Sequence, residues 1–389
     1  MTEKLYYKDA YLKEFTAKIQ SVEKTGDRYD VILDRTAFFP NEGGQSSDTG
    51  YIGQAPVVDV YEERGVIHHL TVSSPAVNGD TVECRLDFEQ RFEKMQCHTA
   101  EHILCGIFHR LYGCENVGFH LGAEDVTFDL DKVLTRDQLD TVEELANRAV
   151  FDNIEVLTLF PNSDELSAIE YRSKLDLAEN VRIVKIGEID SCACCAPHVS
   201  RTGEIGIIKM LDFEKHRGGT RIYMTAGARA LIDYRERYNN VKRISALLWE
   251  PQSTVADGLE RYISDTEKLK LELKQARINI ALIEADSVKP TGGNAVFCFE
   301  NMDMDELRAF SNAALHKISG ILVALTSDSR QGEEIYKYII SSNSVDLTRS
   351  VKEMNSALCG KGGGKSGMVQ GSFRASLESI KAYFENSNK

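Results

Sequence analysis

The sequence predicts an α+β chain of several domains. Strand-like alternation fills the first 86 residues, helical spacing and short apolar runs interleave up to about residue 240, and a long 3-4 apolar pattern precedes a small mixed segment. Taken in order, Phe15-x-Ala17-x-Ile19 and Tyr29-x-Val31-x-Leu33 read as strands joined by a turn at Thr25-Gly26-Asp27. His68-His69 lies in another short apolar run and reads as strand packing. Phe88 to Leu111 and residues 138–151 read as helices. Val181 to Ile186 is a strand running into Ser191-Cys192-Ala193-Cys194-Cys195-Ala196-Pro197-His198, whose Pro and small residues predict a loop. Gly206 to Met210 is the strand leaving it, and a helix begins near Gly227. Leu259, Tyr262, Thr266, Leu269, Leu273, Ala276, Ile280 and Ile283 then recur at 3-4 spacing. They fit a coiled-coil seam or helical hairpin, and equally one amphipathic helix packed on its own domain. Ser287 to Gly293 reads as a linker, and residues 294–389 as a small α/β domain. The expected boundaries are 1–86 (β-rich), 87–240, 241–286 (helical arm) and 287–389.

Composition narrows the class. At 389 residues the chain holds two or three domains, and 42% hydrophobic content is ordinary for globular proteins. No run of about 18 apolar residues is present to span a membrane, and Met1 to Asp9 has neither an apolar core nor a cleavage site. Nine cysteines, an odd number, fit a reducing cytoplasm, with Cys84, Cys97, Cys105, Cys114, Cys298 and Cys359 expected as buried thiols. A formal charge of −14 repels nucleic acid at long range. The deficit lies early, because residues 287–389 carry twelve Lys or Arg against eleven Asp or Glu. His216-Arg217-Gly218-Gly219-Thr220-Arg221 and Arg229 offer a local basic track.

Two separated pairs carry the chemistry. His98 and His102 sit in Cys97-His98-Thr99-Ala100-Glu101-His102-Ile103-Leu104, where nothing interrupts helical spacing. At i,i+4 both imidazoles share one helix face, at a separation that one cation bridges. The second pair is Cys194-x3-His198. Either pair alone is more often packing; three imidazoles and a thiolate together make a tetrahedral zinc set.

The string His98-x3-His102 followed by Cys194-x3-His198-Val199-x2-Thr202-Gly203-Glu204-Ile205-Gly206 resembles the editing domain shared by alanyl-tRNA synthetases and free-standing alanyl-tRNA editing proteins. Leu33 to Gly50, which contains Thr36-Ala37-Phe38-Phe39-Pro40-Asn41-Glu42-Gly43-Gly44-Gln45, resembles the glycine-rich signature of that family. Gly360 to Gly371 resembles the glycine-rich motif of the synthetases' C-terminal domain. The motifs occur in family order over nearly the whole chain. Because Thr36 lies so near the start, the expected relation is to the long free-standing protein.

That resemblance implies a barrel-like N-terminal domain, an α/β editing domain with zinc at His98, His102, Cys194 and His198, a helical arm, and a C-terminal tRNA-binding-like domain. It also implies pairing of two copies through the arm and C-terminal domain. The implied activity is trans-editing: a cytoplasmic hydrolase that deacylates Ser-tRNA(Ala) and Gly-tRNA(Ala), with tRNA as partner and no membrane. A pocket that accepts alanine discriminates against glycine or serine by only about 1–3 kcal/mol, so a second, hydrolytic sieve is needed. That sieve rejects alanine if it offers the serine hydroxyl a partner. Thr36 and Gln45 match polar positions of the signature and are the catalytic-site candidates. Cys194 has the family spacing to His198, whereas Cys192 and Cys195 depart from the usual surroundings and compete as ligands. Zinc with an open position would activate water, and with four side chains bound it would organise the pocket. The sequence leaves both open.

ATP and nucleotide binding accompany the synthetase resemblance. Gly364-Lys365-Ser366 matches the end of a Walker A loop, but Cys359 stands where that motif needs its first Gly, which rules out a triphosphatase. A loop with Lys361 and Lys365 presents amides to an RNA phosphate instead. Two rival readings remain. A metalloprotease would use His98-x2-Glu101-His102 with Glu101 as base, leaving Cys194-x3-His198 without a role. A non-catalytic RNA-binding module would keep only a structural zinc.

Overall fold

The computed structural model describes residues 1–122, 126–173, 181–327 and 335–386, in two compact units, Met1–Asn240 and Val241–Lys389. The first unit begins with six antiparallel strands: β1 (Glu14–Thr25), β2 (Arg28–Leu33), β3 (Gly50–Ile52), β4 (Ala55–Glu63), β5 (Val66–Thr71) and β6 (Thr81–Leu86). Their pairings close in the order β1-β2-β5-β4-β3-β6. Alternate residues such as Ala17, Ile19, Val31 and Leu33 fill the interior, as period-2 patterning requires.

Helix α1 (Phe88–Tyr112) follows, capped by the Asp87 side chain and ended by left-handed Gly113. Every residue from Lys94 to Phe108 on it is buried, so its polar side chains each need a partner. Around it lie β7 (Asn116–Leu121), β8 (Val126–Leu130), α2 (Arg136–Phe151), β9 (Val156–Leu159), β10 (Ile183–Ile186), β11 (Asp190–Ala193), β12 (Ile208–His216) and β13 (Gly219–Ala226). These form a four-stranded sheet, β12-β13-β8-β7, and a three-stranded one, β9-β10-β11. Ile103, Leu104, Ile107 and Phe108 of α1 share one core with Phe128, Val142, Ile186 and Ile222. The cysteine segment is therefore partly strand, with Cys192 in β11 and only the residues after Ala193 irregular.

The chain leaves this unit through α3 (Gly227–Leu248). Residues 258–286 lie within one helix, α4 (Val255–Ser287). Its apolar seam is uncovered, with Leu269, Leu273, Ile280 and Ile283 each more than half exposed. Only Gly258, Ala281 and Ala285 are buried on it. The rest of the second unit comprises β14 (Ala295–Glu300), α5 (Met304–Ala314), β15 (Leu322–Ser327), β16 (Tyr336–Ser341), α6 (Leu347–Ala357), β17 (Lys361–Lys365), β18 (Met368–Phe373) and α7 (Leu377–Asn386). The sheet order is β14-β15-β16-β18-β17. Leu322 and Ala324 face α5 and the end of α4, while Val323 and Leu325 face α6 and α7.

Three expectations change. Gly360 to Gly371 is a hairpin of the edge strand β17 with β18 rather than a loop, with Lys361 opposite Ser372 and Lys365 opposite Met368. A Cβ on Gly362 would collide with the Tyr338 hydroxyl and the Gln370 carbonyl, so the glycines permit close strand approach and need no phosphate to explain them. ATP binding gains no support from such a hairpin. Cys298 and Cys359 are exposed, the first on edge strand β14 and the second at a left-handed backbone position. The basic track is largely paired: Arg221 with Asp129, and Arg229 with Glu93.

Candidate metal centre

His98, Glu101, His102 and Cys105 form one stripe of α1, at i, i+3, i+4 and i+7. The segment after β11 brings Cys194 and His198 against it. One ligand atom from each of His98, His102, Cys194 and His198 lies within 4.8 Å of the others. Cys194 Sγ is 3.3 Å from His198 Nε2 and 3.6 Å from His98 Nε2. The four sequence candidates thus converge, across about 100 residues of chain.

Each imidazole is held from behind at Nδ1. His98 Nδ1 meets Gln45 Oε1 at 2.8 Å, and His102 Nδ1 meets Asp190 Oδ2 at 2.9 Å. Asp190 is itself held by Arg172 Nε at 2.8 Å. His198 Nδ1 lies 3.0 Å from Thr99 Oγ1, whose own proton goes to the Met95 carbonyl, so the imidazole N–H donates. With every Nδ1 committed as donor, every Nε2 lone pair turns inward. Such outer partners set the tautomer and basicity of metal-binding histidines. The donor set therefore fits a borderline-soft tetrahedral cation.

Charge follows the same logic. Burial pushes the Cys194 thiol up, but the imidazoles of His98 and His198 and the bonds from His102 and His198 outweigh it and hold it well below the ordinary range. Burial also lowers His198 to about 3. Burial opposes charge on His102 as well, yet Asp190 and Cys194 raise it well above its usual value. Cys192, pushed up to about 11 by burial, groups with His102 and Asp190 rather than with the four. Cys195 is also raised, by burial and by Cys194.

Two glycine positions bring the outer partners into place. A Cβ on Gly106 would strike Ile189 and Asp190, so only glycine lets α1 approach β11 closely enough for the His102–Asp190 bond. Gly44, at φ 85°, lets the signature segment dock on β7, where Ser46 N and Leu121 N bond across at 3.2 and 2.7 Å.

Three of the four, His98, His102 and Cys194, line a cavity of about 410 Å³, whose wall also includes Glu101, Phe119 and Arg172. Thr36 and Gln45 do not line it. Thr36 is fully buried: it donates to His69 Nε2 at 2.8 Å, since His69 Nδ1 serves the Val31 carbonyl, and it accepts from Phe38 N. Gln45 is fully buried behind His98, and its Nε2 has no hydrogen-bond partner among the described residues. Asp190, Arg172, Thr99 and His69 were not among the sequence candidates. Thr99 carried the one local signal, a hydroxyl on the buried side of a helix.

Residues 181–223 match the family described as the second additional domain of threonyl and alanyl tRNA synthetases, and residues 2–90 match class II (A) tRNA synthetases. Along its whole length the chain resembles the alanyl-tRNA editing protein AlaX-L of Pyrococcus horikoshii, at 29% identity over 98% of this chain and 96% of that protein. The alanine–tRNA ligases of Halobacterium salinarum and Sulfurisphaera tokodaii are 31% and 29% identical over 86% and 94% of this chain. The chain spans only 38% and 41% of their lengths.

Proposed function

We propose that this chain is an aminoacyl-tRNA ester hydrolase that edits mischarged alanine-accepting tRNA in trans, removing serine and glycine. The observation that carries the proposal is the convergence of three imidazoles and a thiolate beside one cavity, which His98, His102 and Cys194 line, in a chain that resembles an alanyl-tRNA editing protein over 98% of its length. His98, His102, His198 and Cys194 would hold zinc, which when bound supplies Lewis-acid polarisation at the ester. The chain's own residues orient these ligands through Gln45, Asp190 and Thr99, and the cavity walls limit water around the ester. Serine leaves as the free amino acid and the tRNA keeps its terminal hydroxyl, with one water consumed.

In this reading residues 87–240 form the editing domain behind a barrel-like 1–86. Residues 241–286 form an arm whose uncovered seam pairs two copies, and 287–389 add tRNA contacts in the cytoplasm. The test is release of labelled amino acid from tRNA charged with serine, glycine or alanine. Serine should leave at least roughly tenfold faster than alanine; equal rates would refute editing.

Both Gln45 and Thr36 lie behind the cavity wall, so a role with the serine hydroxyl requires the pocket to open toward them; Gln45 Nε2 is a buried donor with no partner among the described residues, and Thr36 Oγ1 retains one acceptor lone pair. Gln45→Met is expected to lower the serine-to-glycine ratio of rates about five- to a hundredfold, the cost of an unpaired buried hydroxyl. Thr36→Val should lower it less. Because both substrates share the metal site, a mere loss of His98 positioning would leave the ratio unchanged. That result would reduce Gln45 to an orienting role.

A further inference from the structure

Glu101 is a buried carboxylate on the wall of the cavity that the ligand set does not use. Its side chain occupies the same α1 stripe as His98 and His102, and the residue is only 4% exposed. One oxygen is fixed: Oε1 accepts from Asn116 Nδ2 and, at 3.2 Å, from the Cys105 thiol. Asn116 is locked in turn, its Oδ1 accepting from Gly118 N at 3.0 Å. The other oxygen makes no hydrogen bond among the described residues; its nearest cationic neighbour is His102 Nε2 at 4.0 Å. The result is a preorganised negative charge with a free acceptor beside the ligand nitrogens. Buried carboxylates are costly unless paired.

Among the described residues, no other charged group on the cavity wall makes a hydrogen bond or ion pair with that oxygen. Arg172 donates through Nε to Asp190, and Arg182 donates to the carbonyl oxygens of Cys194 and Ala196. Glu115 pairs with His109 at the surface, and Glu42 is exposed. An aminoacyl ester carries one cation of its own, the α-ammonium, two bonds from the ester carbonyl carbon. Resting on the proposal that the cavity takes such an ester, we propose that Glu101 Oε2 binds the α-ammonium of the substrate. That contact places the scissile carbonyl at the His98–His102 end of the cavity. Glu101 is thus a substrate-recognition residue, selecting amino acids still attached through their carboxyl and free at their amine.

The experiment compares Glu101→Gln with the wild type on two substrates: seryl-tRNA, and the same tRNA after nitrous acid has replaced the α-ammonium by a hydroxyl. The two acyl groups have nearly the same size, and glutamine keeps the acceptor for Asn116. The wild type should prefer seryl-tRNA by roughly ten- to a hundredfold, the worth of a hydrogen bond to a charged group. Glu101→Gln should lose most of that preference by losing seryl-tRNA activity alone, with its zinc content unchanged. A wild type indifferent to the ammonium overturns the assignment. So does a variant in which both rates fall together, which would make Glu101 part of the chemical step, or one that loses zinc, which would make it a ligand. The wild-type rate on seryl-tRNA reports separately on the editing function.

Discussion

Cys194→Ala is expected to leave the purified protein with far less than one zinc per chain and to reduce seryl-tRNA hydrolysis by more than about a hundredfold. Removing even an outer partner of a metal ligand typically costs about 10–100-fold in affinity, and Cys194 is the one thiolate of the set. It is also the group whose negative charge the neighbouring imidazoles stabilise, so alanine removes the anion around which the cluster is built. Cys192→Ala provides the contrast: its sulfur groups with His102 and Asp190, outside the four, and its loss should leave zinc content near that of the wild type. Metal analysis of the two variants separates the assignments directly. Unchanged zinc in Cys194→Ala would move the site elsewhere.

The second large effect concerns stability. Asp48 and Arg91 form an ion pair in which both side chains are essentially inaccessible to water. Arg91 also donates to the carbonyl oxygens of Ala37 and Ala10, and Asp48 accepts from Phe39 N at 2.6 Å. The pair thereby fastens the glycine-rich signature segment to α1, which fixes where Gln45 meets His98. Asp48→Ala leaves the guanidinium buried without its counter-charge, at a cost of about 3–5 kcal/mol. For a unit of this size that is a fall of roughly 6–20 °C in the melting midpoint. Circular dichroism is the suitable signal, because the single tryptophan, Trp249, is exposed and lies in the other unit. A midpoint within 2 °C or so of the wild type would mean that water reaches Arg91, and that the clamp does not exist.

The parts of this site legible in the sequence are those written at short range. His98 and His102 declare a shared helix face by spacing alone, and Cys194-x3-His198 is a compact pair. The outer partners are not legible in that way. Asp190 lies 88 residues from His102 and Thr99 lies 99 from His198, so only tertiary packing brings them together. Gly106, which permits the first contact, looks in sequence like a weak point of a helix. The six-stranded N-terminal region was visible through its alternation, whereas the closed order of its pairings depends on contacts between β1 and β6 across the whole segment. The glycine run from Gly360 was misread because glycine suits both a mobile loop and two strands pressed too closely for side chains. Cys298 was expected inside with the other thiols, but it lies on the edge strand β14, where it is exposed.

The most direct test is hydrolysis of serine-charged, alanine-accepting tRNA by three preparations: protein as purified, protein stripped by a chelator to below a tenth of a zinc per chain, and stripped protein with zinc restored. The account predicts that serine release falls roughly a hundredfold or more on stripping, equivalent to several kcal/mol of lost stabilisation, and returns with zinc. Alanine-charged tRNA should stay intact throughout. Undiminished serine release by the stripped protein, or alanine released as fast as serine, would contradict it.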